Sequence, residues 1–182
     1  KITPRVKYIF NLLFRDVFGV KYELTCDKES YLNFSGAKLT YGYQPFGDEL
    51  FVQAKGLLFE TGISDQEITV FNWNDTKAFF SVGPKSCLPF DIFSASFFLA
   101  SRYEEYLPHI RDVHDRFDAP ISLAYNYNFL HQPVINKWAQ TFRELLQSKF
   151  PALIFPEKKY RFISSIDVDN AYAFLEKGFV RT

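Results

Sequence analysis

The first twenty residues carry apolar side chains at the spacing of a helix. One stripe recurs every three or four positions: Ile2, Val6, Ile9, Phe10, Leu13, Phe14 and Val17. Thr3 suits the N-cap, Pro4 suits the first turn, and Gly19 suits the position after the last turn. Few basic residues lie opposite the stripe, so we expect an amphipathic helix that packs on a core rather than on a membrane surface.

From residue 20 to residue 82 the pattern changes to short alternating segments separated by turn residues. The segments that predict strands are residues 20–25, 38–43, 50–52, 56–60, 67–72 and 77–82. Turn signals such as Ser35-Gly36 and Gly83-Pro84 stand between them. Short strands at this spacing predict antiparallel hairpins.

Two more helices are predicted further along the chain. Residues 91–106 are apolar on nearly every side after a capping Asp91, which is typical of a buried central helix. Residues 134–149 rebuild a stripe that includes Trp138 and Phe142. Residues 107–132 have no steady period and predict an ordered loop. The fold predicted for residues 1–155 is therefore α+β, a mostly antiparallel sheet of five or six strands packed with three main helices.

The composition predicts an aromatic core, and the balance of charge disfavours nucleic acid as a partner. The chain has 22 Phe, 11 Tyr and 2 Trp, so we expect rings to dominate the core, with an exposed aromatic platform for sugars or bases as the alternative. Lys and Arg number 21, and so do Asp and Glu. No basic face is available for a polyanion, which disfavours nucleic-acid binding.

The cysteine content and the length of the apolar runs bear on the cellular compartment of the protein. Cys26 and Cys87 are too far apart for a zinc spacing, and we expect both to be buried in a reducing compartment. No apolar run is long enough to span a membrane, and the first residues do not resemble a secretory signal. We therefore expect a cytoplasmic protein without a membrane span.

Two carboxylates follow the last predicted strand, residues 160–166, which comes after a short polar linker. Asp167 and Asp169 stand two positions apart, so on an extended chain both side chains point the same way. One could hold a divalent metal while the other takes a proton from metal-bound water. The alternative is a turn, in which Asp and Asn bond to their own backbone.

Residues 163–172, Ile-Ser-Ser-Ile-Asp-Val-Asp-Asn-Ala-Tyr, resemble the first motif of the polysaccharide deacetylases, the NodB-homology carbohydrate esterases. The resemblance implies that Asp167 is the catalytic base and that Asp169 is a metal ligand. Residues 101–109, 114–117 and 133–139 resemble the N-terminal extension of deacetylase-like proteins of the Bacteroides group. Residues 156–182 would then be the linker and the start of a (β/α)-barrel deacetylase domain, which we expect to continue beyond this sequence.

The resemblance also sets expectations for chemistry. The family completes its metal site with a His-x-x-x-His motif further along, but no His follows Asp169 here. We therefore expect the residues present not to deacetylate anything alone and to bind no cofactor. The full-length protein would use zinc or a similar divalent metal to hydrolyse N-acetyl groups on a sugar or glycan, with its own deacetylase domain and the carbohydrate as partners. The alternative is a sugar-binding or protein-interaction module fused to a degenerate barrel.

A second candidate site lies in the loop around residues 109–116. His109, Asp112, His114 and the neighbouring Asp115 could ligate a metal if the loop folded around it, or they could form salt bridges and turn bonds. A third interpretation gives His109, Asp112, His114 and Arg116 contacts with the substrate or with the deacetylase domain.

Overall fold

The computed structural model describes residues 1–157 and 159–167, and in them the chain is α+β. The helices are α1 (Pro4–Phe10), α2 (Lys28–Asn33), α3 (Ile92–Ala100), α4 (Leu123–Asn126) and α5 (Val134–Lys149). The strands are β1 (Leu39–Gly42), β2 (Leu50–Gln53), β3 (Phe71–Trp73) and β4 (Thr76–Ala78). A π-helical segment (Asn11–Val17) follows α1, and three short 3-10 turns lie at Leu57–Phe59, Tyr103–Tyr106 and Ala119–Ile121.

The predicted sheet of five or six strands is wrong. The described residues form two sheets of two strands each and five α-helices, not one sheet with three main helices. Strands β3 and β4 pair antiparallel, as the hairpin prediction requires. Strands β1 and β2 pair parallel, with Leu39 opposite Leu50. The carboxylate of Glu49 stabilises the connection between them, because it accepts hydrogen bonds from Thr40 Oγ1 (2.8 Å) and from the Phe46 N–H (2.7 Å).

The predicted strand over 56–60 is wrong, because Leu57–Phe59 forms a 3-10 turn there. The predicted strand over 20–25 and the first part of that over 67–72 cover the core without pairing. Tyr22 and Leu24 pack against the core while Glu23 between them is exposed, and Ile68 and Val70 repeat the pattern. Alternation with a period of two belongs to any extended chain, whether or not its backbone pairs with a neighbour. The sequence pattern therefore reported side-chain direction correctly and hydrogen-bonded pairing incorrectly.

The first predicted helix is confirmed, with a change of winding halfway. Thr3 caps α1 by accepting a hydrogen bond from the Val6 N–H at 3.1 Å. Beyond Phe10 the chain continues as the π-helical segment, and the Phe18 N–H closes it by donating to the carbonyl of Leu13 at 2.8 Å. Apolar side chains of both parts enter the core.

Of the two later predicted helices, one has the predicted bounds and the other ends early. The α5 helix spans Val134–Lys149, as predicted. The predicted helix over 91–106 is divided, because α3 ends at Ala100 and Arg102 adopts a left-handed backbone with φ of 53°. A 3-10 turn at Tyr103–Tyr106 follows this break.

Aromatic rings fill the core, as the composition predicts. The Phe93 ring on α3 stacks on Phe10 with centroids 4.3 Å apart and meets Phe142 of α5 edge-on at 5.7 Å. Trp138 is fully buried and donates its Nε1–H to the carbonyl of Lys77 at 2.9 Å. Within the described part of the chain, the buried Ser96 hydroxyl has no hydrogen-bond partner.

The two cysteines have different surroundings, so the expectation that both are buried is wrong for Cys26 and holds only in part for Cys87, which is half-buried. Cys26 is exposed on the extended segment before α2. Cys87 packs against the core, and burial raises the pKa of its thiol to about 11. Over the described residues, no helix is long and apolar enough to cross a membrane.

The segment after the domain leaves its large side chains in solvent. The predicted strand over 160–166 does not form within residues 159–167. Tyr160, Phe162, Ile163 and Ile166 are 79–89% exposed. Contiguous exposure of large apolar side chains is typical of a surface that contacts another protein element.

Candidate functional site

The loop after α3 is shaped by the carboxylate of Asp112. Its Oδ1 accepts hydrogen bonds from the backbone N–H groups of His114 (2.8 Å) and Arg116 (2.9 Å). Its Oδ2 pairs with the Arg116 guanidinium, whose Nη2 lies at 3.0 Å. The backbone hydrogen bond from Arg116, helped by these other contacts, lowers the pKa of Asp112 below its usual value. Asp112 therefore stays ionised and fixes both the turn and the Arg116 side chain.

A groove of about 540 Å³ opens between this loop and the 3-10 turn that follows α3. Its lining residues are Arg102, Glu105, Asp112, Arg116, Phe117, Asp118 and Ala119. Binding sites for small molecules typically have volumes of about 300–1,000 Å³. The groove is therefore large enough for a small ligand, and nearly every side chain that lines it is polar or aromatic.

The charges in the groove are arranged as neighbouring ion pairs. Arg102 pairs with Glu105, and Arg116 pairs with Asp112. Asp118 adds a third carboxylate, for which no side-chain partner occurs among the described residues. Two guanidinium groups and three carboxylates leave a small negative excess, so the groove attracts neither strong anions nor strong cations as a basic or acidic cluster would.

A neighbouring carboxylate ties the groove to the following helix. Glu104 Oε2 accepts a hydrogen bond from the Leu123 N–H at 2.9 Å, at the first residue of α4. Burial raises the pKa of Glu104. Glu104 thus serves the structure, whereas the next residue, Glu105, faces the groove.

The structure brings three of the predicted contact residues together and leaves one apart. Asp112 and Arg116 line the groove, and the His109 ring packs edge-on against Phe117 with centroids 5.0 Å apart. Nδ1 of His109 lies 2.7 Å from the carbonyl oxygen of Leu107. His114 is exposed and does not line the groove. Of the three interpretations of this loop, salt bridges and turn bonds describe its internal contacts.

The predicted Asp-x-Asp pair is only partly within the described residues. Asp167 lies on the exposed extended segment, and Asp169 lies outside the described residues. Across residues 1–157 and 159–167, no group of three His, Cys, Asp or Glu side chains is arranged to hold a metal ion. The assignments of Asp167 and Asp169 as base and ligand stay predictions.

Sequence reasoning missed Arg102, Glu105, Phe117 and Asp118 as groove residues. No sequence signal indicates Arg102, because the second position after the last residue of α3 adopts a left-handed backbone that usually calls for Gly. Glu105 depends on the same break in the helix. Phe117 and Asp118 follow the turn that Asp112 shapes, and their residue types alone do not place them in a groove.

The second polar cluster in the molecule is buried and closed. Asp91 is fully buried at the N-cap of α3, where Oδ1 accepts hydrogen bonds from the N–H groups of Phe93 (3.1 Å) and Ser94 (2.9 Å). Its Oδ2 accepts from Ser94 Oγ (2.6 Å), Tyr41 OH (2.9 Å) and the Lys55 N–H (2.7 Å). With five donors around it and no exposed surface, this cluster holds α3 in place and offers nothing to a ligand.

The chain is thus an α+β domain with a capped, aromatic core and a polar groove on its surface. It belongs to DUF7033, a family of unknown function whose model matches residues 1–151. No curated protein and no solved structure matches it. The family match covers the groove and most of the core, and it ends before the exposed segment that carries Asp167.

Proposed function

We propose that this chain is the N-terminal accessory domain of a metal-dependent polysaccharide deacetylase, a hydrolase that removes N-acetyl groups from a sugar or glycan. Residues 1–155 are the accessory domain, and residues 156–182 lead into the deacetylase barrel. The groove between the loop and the 3-10 turn that follows α3 is the part of the accessory domain that contacts the glycan or the barrel. The protein is cytoplasmic in this proposal.

The observation that carries the proposal is the exposed segment before Asp167. Tyr160 and Phe162 are 89% and 80% exposed, and Ile163 and Ile166 are 79% and 84% exposed. In a strand, Tyr160, Phe162 and Ile166 would share one face, and Ile163 would lie on the other between Arg161 and Ser165. One face of such a strand would therefore be mainly apolar, and the other would carry a single large apolar side chain. Such a strand suits the start of a (β/α)-barrel, and it directly precedes the residues that resemble the first deacetylase motif.

The groove supports the same assignment from another part of the chain. Residues 101–109 and 114–117, which resemble the extension of deacetylase-like proteins, include Arg102, Glu105, Arg116 and Phe117 of the groove. These segments are separate in sequence and meet at one surface. A surface of this kind suits an accessory domain that positions a ligand for chemistry performed elsewhere.

The residues present do not by themselves fit a zinc site. Zinc in hydrolases usually takes two or three imidazole nitrogens, and the described residues include no cluster of three metal-binding side chains. Two carboxylates without imidazoles are a poor zinc site. The proposal therefore gives this chain no hydrolytic step of its own and depends on ligands in the following domain.

The test is to read the source gene past codon 182 and to assay the complete gene product. We expect a His-x-x-x-His pair and acetate release from an N-acetylated oligosaccharide that a chelator abolishes. Asp167→Asn should slow the release by about 10²–10⁴-fold, because a positioned general base contributes that much. Asp169→Asn should weaken metal binding. The control is Asp16→Asn, because Asp16 is distant in sequence from the Asp-x-Asp pair and forms an exposed ion pair with Arg15.

Two results would contradict the proposal. One is a reading frame that lacks the histidine pair, which would leave the alternative of a binding module on a degenerate barrel. The other is acetate release that survives both Asp167→Asn and Asp169→Asn.

A further inference from the structure

We infer that the groove binds a neutral, hydroxyl-rich ligand, a carbohydrate, and that Arg102 is the residue on which this binding depends. The inference deepens the proposed function and takes from it only the assignment of the groove to ligand contact. It names the ligand class and a residue that neither the resemblance nor the family description assigns.

The first argument is the set of hydrogen-bonding atoms that face the groove. Arg102 uses Nε and Nη2 on one oxygen of Glu105, and Arg116 uses Nε and Nη2 on one oxygen of Asp112. Within the described residues, Nη1 of each arginine, Oε2 of Glu105 and both carboxylate oxygens of Asp118 have no protein partner. Unused donors and unused acceptors therefore stand side by side.

The second argument is the kind of ligand that suits neighbouring donors and acceptors. A phosphate or carboxylate accepts only, so it would meet the free carboxylates with repulsion, and an ammonium donates only and would meet the arginines. A hydroxyl both donates and accepts, so a ligand with several hydroxyls can use both kinds of atom at once. Hydrogen bonds to charged groups are also stronger than those between neutral groups.

The third argument is the aromatic side chain in the lining. Phe117 is half-buried, and His109 packs against it edge-on at 5.0 Å. This contact fixes the Phe117 ring in place beside the ion pairs. A fixed ring gives the apolar C–H face of a sugar a surface to cover while the hydroxyls reach the charged groups.

The fourth argument singles out Arg102. Its φ of 53° is left-handed, at a helix end where Gly or Asn would fit without strain. The Arg102 side chain is 71% exposed, so it adds little packing that could offset the strain. Strained backbone at a binding surface is typical of positions that are kept for function.

The experiment measures binding and thermal stability in the complete gene product. The probes are neutral oligosaccharides of glucose, mannose and N-acetylglucosamine, compared with inorganic phosphate and an acidic oligogalacturonate, by titration calorimetry. We expect at least one neutral oligosaccharide to bind and the two anions not to bind. Arg102→Gly should weaken that binding about ten- to hundredfold, while its Tm stays equal or rises by up to about 4 °C.

Arg111→Ala is the matched control. The Arg111–Asp115 pair has the same i,i+4 spacing in the same loop as Asp112–Arg116, but it does not line the groove. Binding should therefore be unchanged in Arg111→Ala. Arg102→Lys, which keeps the charge but loses the paired donors, should bind about tenfold more weakly and serves if Arg102→Gly does not fold.

Each other outcome overturns the inference. The inference fails if no neutral oligosaccharide binds or if the anions bind instead. It also fails if Arg102→Gly or Arg102→Lys binds as tightly as the unchanged protein, or if Arg111→Ala loses as much affinity as Arg102→Gly. Acetate release is measured in the same preparations. If acetate is released but no oligosaccharide binds in the groove, this inference is wrong and the proposed function stands. If an oligosaccharide binds in the groove but no acetate is released, the proposed function is wrong and this inference stands.

Discussion

Two aspartates do the same local work in this molecule in opposite surroundings. Asp91 accepts hydrogen bonds from the N–H groups two and three positions ahead, and Asp112 accepts from those two and four positions ahead. Asp91 is sealed in the aromatic core with neutral hydroxyls on its other oxygen, whereas Asp112 borders an open groove and pairs with Arg116. The same turn chemistry therefore supports a core in one place and a binding surface in the other.

This difference indicates where stability and function are divided. The core around α3 is filled by rings and its carboxylate is satisfied, so its contacts are already used. The groove keeps unused donors and acceptors, and its exposed pairs contribute little to stability. The largest energetic effects should therefore come from the first region and the largest binding effects from the second.

The strongest way to sharpen this contrast is to remove one ring from each region. Phe93→Ala should lower the free energy of unfolding by about 3–5 kcal/mol, because it opens a cavity beside Phe10 and Phe142. Phe117→Ala removes a half-buried ring and should cost about 1 kcal/mol. Urea denaturation measures both, and equal losses would show that the groove is as tightly packed as the core.

The two aspartates should respond to pH in opposite directions. Burial raises the pKa of Asp91 above its ordinary 3.8, so the folded state holds that proton more tightly than the unfolded state. Its contribution to stability is present at low pH and declines as pH rises from 3.8 through the raised pKa. The pKa of Asp112 is lowered, so its contribution is present above 3.8 and is lost as pH falls through the lowered value.

Carbon-13 titration of the two carboxyl groups checks these directions. Unfolding measured against pH in Asp91→Asn and Asp112→Asn assigns each change to its residue. Titration of both carboxyls at one pH would show that their surroundings are equivalent and would remove the contrast.

The smallest effect concerns a polar atom left over in the core. The Ser96 hydroxyl is buried without a hydrogen-bond partner in the described residues, so Ser96→Ala should leave the protein equally stable or more stable by up to about 1 kcal/mol. Ser94→Ala is the control, because it removes a hydroxyl that donates to Asp91 and should destabilise the protein. A destabilised Ser96→Ala would mean that the hydroxyl has a partner, such as a bound water.

Parts of the fold could be predicted from sequence because a single local rule decides them. The α5 helix begins and ends where its apolar stripe does, and Thr3 and Asp91 cap helices as their residue types favour. The sheet could not be predicted, because alternation in residues 20–25 and 67–70 fixes which side chains face the core but not whether the backbone pairs. The parallel pairing of β1 and β2 could not be predicted either, because no periodicity indicates the hydrogen bonds of Glu49 in the connection.

The groove was predicted only in part for a similar reason. Asp112 and Arg116 belong to one short turn, so their spacing already brings them together. Arg102 and Glu105 reach them only because the chain leaves α3 through a left-handed residue, and that break lies within a run whose apolar pattern predicts an unbroken helix. Tertiary position, not residue type, assigns these two side chains to the groove.

The two cysteines differ in exposure, so their rates of thiol modification report local opening of the structure. Burial raises the pKa of the half-buried Cys87 thiol to about 11, so little of it is thiolate at neutral pH and it reacts slowly while the structure stays closed. Cys26 is exposed and reacts without any opening. A change that speeds modification of Cys87 relative to Cys26 in one sample therefore reports more frequent opening of the segment beside β2.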